Sequence, residues 1–207
     1  MIDRLASFAA GLRLTAEVIT RRTASIQRQK QVVQSVWPKA LCHPIGSFRT
    51  GTSLKERYIY IYNNFSFSFF FFFLFSPRHT NSINSTEANN GMDGWIRSDV
   101  DLLVSIPEQG DERRCVVEAA TSMKEAIIRH RIAEPQNCSV LGGARVPILT
   151  YLDVNETPPL KFDISFQKEN AVKNTEYLVE KFDERPFMRD LVVIMKYWYV
   201  LFFWVSL

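Results

Sequence analysis

The sequence predicts an α+β protein, a mixed β-sheet with helices on one side, and three features carry that prediction. Residues 12–36 place Leu14, Val18, Ile19, Ile26, Val32, Val33 and Val36 at mostly helical spacing among Arg and Gln. The segments DVDLLVSI (99–106) and LKFDISF (160–166) read as strands bounded by turn residues. Two further helical stretches, at about 174–183 and 187–200, follow the last strand. A chain of 207 residues suffices for one domain, or for one domain and part of a second. Its hydrophobic fraction of 46% provides for a buried core and argues against global disorder.

The elements between these landmarks follow from local signals. Trp37-Pro38 ends the long helix, because the residue before a proline is pushed out of the α region. A short strand, about Ala40–Ile45, then runs into Gly46-Ser47. Pro107 and Gly110 close the strand at 99–106, and residues 112–131 form a helix. Val146–Leu152 and Leu160–Phe166 are strands joined by the polar turn DVNETPP. Pro186 opens the last helix, where its missing N–H costs nothing. The sequence contains no internal repeat.

Charge and cysteine usage exclude several classes. The net charge is only +3, yet residues 1–40 hold seven Lys/Arg against two Asp/Glu. Such a basic end is ordinarily a solvated helix face, with RNA or phosphate contact as the alternative. Cys42, Cys115 and Cys138 are odd in number and far apart, and His43, His79 and His130 make no ligand spacing with them. A zinc site or a disulfide framework is therefore not expected, and a reducing compartment is. The start, LASFAAGL behind Asp3 and Arg4, shows no secretory signal; Arg4, Arg13, Arg21 and Arg22 faintly resemble a mitochondrial transit helix. The run Phe65–Phe75 falls well short of the roughly 20 residues a spanning helix needs. Lys196 interrupts the other apolar run, Leu191–Leu207, so no membrane partner is expected.

The chemistry begins with SDVDLLV (98–104). Asp99 and Asp101 stand two apart on a strand, so both carboxylates point to one face, about 6.5–7 Å apart, while Val100 and Leu102 face the core. The later strand repeats the pattern: Phe162, Ile164 and Phe166 face one way, Lys161, Asp163 and Ser165 the other. If the two strands are neighbours, three carboxylates meet on one surface. That cluster needs cations, and its hard oxygen ligands suit Mg²⁺. Two such ions bridged by carboxylates are the apparatus of in-line phosphoryl transfer. Alternating aspartates at strand ends are also ordinary solvated positions, so the DxD alone does not decide. A second feature is GSFRTGTSL (46–54), where Gly-Ser stands at a strand-to-helix junction whose N–H groups and hydroxyl can hold phosphate oxygens. An ordinary Gly-Ser turn is the alternative.

Gly-Ser, a DxD strand and a third Asp on a later strand together resemble the DNA polymerase β-like nucleotidyltransferases. More closely, they resemble the RNA-tailing branch, the poly(A) polymerases and terminal uridylyltransferases. RRTASIQRQKQVVQSVWPKA, ARVPIL and KFDISF…NTEYLV…FMRDLVVIMKYW are similar to topoisomerase-related-function poly(A) polymerases, which tag nuclear RNAs for decay in the TRAMP complex. The likeness covers roughly residues 20–54 and 98–198.

The resemblance implies a nucleotidyltransferase fold and a set of roles. Gly46 and Ser47 would grip the nucleotide triphosphate. Asp99 and Asp101 would bind two metal ions, Mg²⁺ or Mn²⁺, and Asp163 the one that activates the RNA 3′-hydroxyl. Asn174 and Thr175 resemble a pair that uridylyltransferases place at the ribose and base, although Asn174 also fits a helix N-cap. Lys196 matches a lysine that contacts the triphosphate, although a lone lysine is usually only solvated. The implied substrates are an RNA 3′ end and ATP, or UTP in the uridylyl alternative. The implied partners are a zinc-knuckle RNA-binding protein and a helicase, and the implied location is nuclear, with cytoplasmic and mitochondrial alternatives.

In the family, Gly-Ser and DxD lie close together, as in GSxxTGxxLPxSDxD, whereas here the chain from Ser47 to Asp99 contains eight of the sixteen phenylalanines within 65–75. YIYIY can be written by a TA repeat and FFFFFLFSP by a pyrimidine tract, so about 55–97 reads as a translated intron that forms a poorly packed excursion. The expected organisation is a basic helix region (1–36), a catalytic domain (37–54 and 98–168), this insert, and the start of a truncated helical domain (169–207). The expected function is template-independent addition of AMP to RNA 3′ ends. Alternatives are a terminal uridylyltransferase, an inactive fragment that binds only RNA or a protein partner, and a membrane-associated fragment.

Overall fold

The computed structural model describes residues 2–55, 57–58, 95–96, 99–107, 110, 112–166 and 170–205. The Phe-rich run Phe65–Phe75 and most of the stretch read as an insert lie outside the described residues. Described parts of that stretch are Lys55 and two short strands, β2 (Arg57–Tyr58) and β3 (Trp95–Ile96), which pair antiparallel with Arg57 opposite Ile96. The two sides of the stretch are therefore joined at its base, as loop closure requires.

Five strands make the main sheet: β1 (Leu41–Ile45), β4 (Val100–Ser105), β5 (Cys138–Leu141), β6 (Ile148–Asp153) and β7 (Leu160–Ser165), in the order β1-β4-β7-β6-β5. The sheet is mixed. β4 and β7 run parallel and every other pair is antiparallel. The alternation in LKFDISF is reproduced: Leu160, Phe162, Ile164 and Phe166 are buried, while Lys161, Asp163 and Ser165 are not. β5 had no clear signal in the sequence, because CSVL is short and alternates weakly.

Two long helices, α2 (Ala16–Val36) and α4 (Arg113–Arg129), complete the principal core. Ile26, Val32 and Val33 from α2 and Ala120, Met123 and Ile127 from α4 meet Val100, Leu102, Val104, Phe162 and Ile164 from the sheet. Thr15 caps α2 by accepting from the Val18 N–H, so this helix starts at residue 16 and not at 12. A separate helix, α1 (Ile2–Leu12), precedes it. The short α3 (Gly46–Thr50) and α5 (Asn170–Glu184) meet the sheet at β1, and α6 (Pro186–Val205) follows α5. α1 packs on α6: Ala9, Leu12 and Val193 are buried together, Phe8 meets Tyr197 edge to face at 6.0 Å, and Arg13 pairs with Asp190. No helix among the described residues is long and apolar enough to cross a membrane.

Part of the basic surplus near the N-terminus is not a solvated face, although Arg4 and Lys39 are exposed. Arg22 is fully buried, and Arg21 and Arg28 pair with Glu156, itself buried. Beside them the fully buried Asp153 accepts from Ser25 Oγ (2.9 Å), Gln29 Nε2 (3.2 Å) and the Asn155 N–H (3.0 Å). This network fastens α2 to the end of β6, using charges that sequence alone assigns to solvent. Asp153→Ala would strand buried donors and the partners of a buried carboxylate. It should destabilise the chain by about 2–4 kcal/mol in denaturant unfolding; a loss no larger than that of an exposed Asp→Ala would show the network to be idle.

Candidate active site

The site forms where β1, β4 and β7 lie side by side. The parallel register sets Asp101 opposite Asp163 and Val100 opposite Phe162, so the two aspartates share a face one strand spacing apart. Asp99 lies just before β4, level with Lys161 of β7. The structure thus brings all three sequence-identified carboxylates to one face of the sheet. Their neighbour Lys161 was legible only as a residue on the same face; here its Nζ donates to Asp99 Oδ2 (2.7 Å) and to Asp163 Oδ2 (3.2 Å). Asp163 Oδ1 is buried and accepts no hydrogen bond.

Gly46 explains the Gly-Ser step. β1 ends opposite Asp101, at Ile45, and the next residue turns with φ of 64° into α3. A Cβ at this position would stand 2.5 Å from Asp101 Oδ2. Only glycine gives both the left-handed conformation and the room for that carboxylate. Ser47 follows. Its carbonyl accepts from the Thr52 N–H (2.9 Å) and the Ser53 N–H (3.1 Å), and its Oγ lies 3.1 Å from Ser53 Oγ. The sequence reading marked the stretch GSFRTGTSL but gave roles only to Gly46 and Ser47, whereas Thr52 and Ser53 are both buried in this loop. The polar run TGTS was their only signal.

α5 and α6 supply the remaining predicted residues. Asn174 lies within α5, which begins at Asn170, so it is not a helix N-cap. Its side chain is exposed, whereas Thr175 is buried. Thr175 Oγ1 donates to the Ala171 carbonyl (2.8 Å) and accepts from the Gly46 N–H (3.4 Å), which ties α5 to the turn beside Asp101. Arg49 and Glu176 reinforce that join with a two-pronged ion pair at 2.9 and 2.7 Å. Lys196 is half-buried, and its Nζ donates to the Thr52 carbonyl at 3.4 Å. It is therefore not a merely solvated lysine.

The electrostatics follow this crowding. Burial raises the pKa of Asp101, the Asp163 and Asp99 carboxylates raise it further, and Lys161 and Lys196 oppose them. Burial lowers the pKa of Lys196 against the field of Asp101. Burial also works against the Lys161 ammonium, but its hydrogen bond to Asp99 and the charges of Asp99 and Asp163 outweigh that, and its pKa is raised.

These residues suit a divalent cation by their chemistry: hard carboxylate oxygens in excess of their counter-charges, and an orphaned buried oxygen on Asp163. Lys161 stands between two of the carboxylates, and among the described residues no group of three or more His, Cys, Asp or Glu is gathered closely enough to close around an ion.

Comparisons with known proteins agree with this fold. Residues 88–180 match the family model of the central palm domain of mitochondrial-like poly(A) RNA polymerases. That match begins within the stretch 55–97 read as an insert. Poly(A) RNA polymerase protein 2 of Saccharomyces cerevisiae is 22% identical over 190 residues, covering 91% of this chain and 24% of that protein. Cid1 poly(U) polymerase, solved with magnesium and 3′-dATP, superposes with a TM-score of 0.63 at 17% identity, over 95% of this chain and 46% of that one. A cytoplasmic RNA terminal U-transferase superposes with a TM-score of 0.60 at 17% identity, over 95% of this chain and 44% of that one. This chain spans about a quarter of the curated relative and less than half of these solved structures. Over residues 88–180 the chain is thus similar to the palm domain of poly(A) RNA polymerases, and it shares the fold of the solved RNA-tailing nucleotidyltransferases.

Proposed function

We propose that this chain carries the catalytic palm of a template-independent RNA 3′-end nucleotidyltransferase that adds AMP from ATP. The observation that supports it most is the parallel pairing of β4 with β7, which aligns Asp101 with Asp163 beside a glycine that leaves space for the Asp101 carboxylate. Asp99, Asp101 and Asp163 would hold two Mg²⁺ or Mn²⁺ ions. When bound, these supply charge compensation for in-line attack of the RNA 3′-hydroxyl on the α-phosphate. Ser47 and Lys196 each bond to the loop containing Thr52 and Ser53, a hydroxyl and an ammonium that would grip the triphosphate. Lys196, desolvated and close to Asp101, is placed to repay its burial by pairing with phosphate oxygens.

Uridylyl transfer is the second reading, favoured by Asn174-Thr175 and by the resemblance to poly(U) polymerase structures. Thr175 is engaged in holding Gly46, which leaves Asn174, exposed on α5, as the residue of the pair placed to meet a nucleotide. Action in the nucleus with a zinc-knuckle protein and a helicase belongs to this proposal through the sequence resemblance. The test is extension of an RNA oligonucleotide by the 207-residue chain with Mg²⁺ and either ATP or UTP. We expect a ladder with ATP on RNA ending in a 3′-hydroxyl and none on 3′-deoxy RNA. A ladder with UTP alone would select the second reading. No extension by a folded chain would leave an inactive fragment that binds only RNA or a protein partner.

A further inference from the structure

Lys161 has no place in the roles assigned above, yet it is bonded to two of the three aspartates. Its position follows from the sheet. Strand alternation puts Lys161 and Asp163 on one face, and the parallel register brings Asp99 level with Lys161. The ammonium then lies 2.7 Å from Asp99 Oδ2 and 3.2 Å from Asp163 Oδ2. Asp101 has no such bond, and two like charges add to the burial that raises its pKa.

We propose that Lys161 is an internal counter-ion that competes with divalent cations: its ammonium holds Asp99 and Asp163 until metal displaces it. The proposal rests on the active-site reading of the three aspartates. Three observations carry it. Lys161 takes up one oxygen from each of two proposed metal ligands, so those oxygens cannot serve an ammonium and a metal along the same direction. Its ammonium bonds to both Asp99 and Asp163, and among the described residues no three such side chains close around an ion. Its side chain is 39% exposed and ends a flexible four-carbon stem, so it has an open route out of the cluster. Lysine thereby compensates the cluster in the metal-free chain, where three uncompensated carboxylates would repel one another, and yields to a doubly charged ion that binds the same oxygens more closely.

The test is Mn²⁺ binding to the 207-residue chain, read from the loss of the free Mn²⁺ resonance, with no turnover involved. Lys161→Met should bind Mn²⁺ roughly three- to tenfold more tightly than the wild type, since it removes a competing ion pair and a like charge. In metal-free buffer the variant should melt below the wild type, and saturating Mn²⁺ should close that gap. Lys161→Arg, which keeps the charge, should stay close to the wild type in affinity. Unchanged or weaker binding by a folded Lys161→Met would overturn the proposal. If that variant does not fold, the wild type decides: acetylation of Lys161, followed by peptide mass spectrometry, should rise when Mn²⁺ is added, and unchanged labelling would refute displacement. Asp163→Asn serves as the control for the underlying site. Should it bind Mn²⁺ as well as the wild type does, the metal-site reading itself fails, which is a separate outcome from failure of the lysine's role.

Discussion

Asp101→Ala is expected to abolish RNA tailing while leaving the fold intact. Asp101 is level with Asp163 on the adjoining parallel strand, faces the Gly46 turn, and lies in the fields of Lys161 and Lys196. Removing it would take one carboxylate from the proposed two-metal site and with it charge stabilisation of the transition state, a loss on the order of 10²–10³-fold or more in rate. The same residue should cost stability when charged. Burial, followed by the charges of Asp163 and Asp99, raises its pKa. A carboxyl raised in the folded state stabilises the fold below its unfolded pKa of about 3.9 and loses that contribution as pH rises through the folded value. At neutral pH without metal, the ionised Asp101 is therefore a burden. Asp101→Asn should melt above the wild type there, and the advantage should vanish below about pH 4. A series of thermal melts across that range checks the sign; an Asn variant that is both active and no more stable would contradict the assignment.

The second large effect is expected at Gly46. An alanine would have to adopt φ of 64° and place its Cβ 2.5 Å from Asp101 Oδ2 and 3.2 Å from Asp101 Cγ. The backbone term alone is worth about 1–3 kcal/mol. Relief of the clash must move Asp101 or lift the turn away from β4, and a displacement near 1 Å at a reacting centre costs on the order of 10²-fold in rate. Gly46→Ala should thus lose most tailing and show weakened Mn²⁺ binding, while Gly51→Ala should be milder. Gly51 is also left-handed, at φ of 70°, but its nearest neighbour is a flexible part of Arg189 at 3.7 Å. The comparison separates strain from contact with the carboxylate. Equal losses in rate for the two variants would remove Gly46 from the site.

The contrast between Asp101 and Asp153 shows where sequence reasoning held and where it stopped. DVDLLV and KFDISF each declare their faces through a period of two, so Asp99 and Asp101, and separately Asp163, could be assigned to the face away from the core before any contact was known. Gly-Ser at a strand end likewise announced a strand-to-helix junction, whereas the exclusion of a Cβ there is visible only in the structure. Asp153 stands in DVNETPP, which reads as a polar turn, and its burial against Ser25 and Gln29 is a meeting of segments more than 120 positions apart. Arg22 and Arg28 read as solvated for the same reason: a charge carries no local mark of the packing or the partner that will engage it.

The sequence by itself determined the order of the principal strands and helices and the inward faces of β4 and β7, because strand alternation is local physics. Only the tertiary structure decided that β4 and β7 are parallel neighbours in register, that Thr175 of α5 holds the Gly46 turn, that Lys196 reaches the loop at Thr52, and that Lys161 lies between Asp99 and Asp163. The physical reason is that strand order and register are fixed by burying both sheet and helix faces at once, a condition set by the whole core and by no single segment of it.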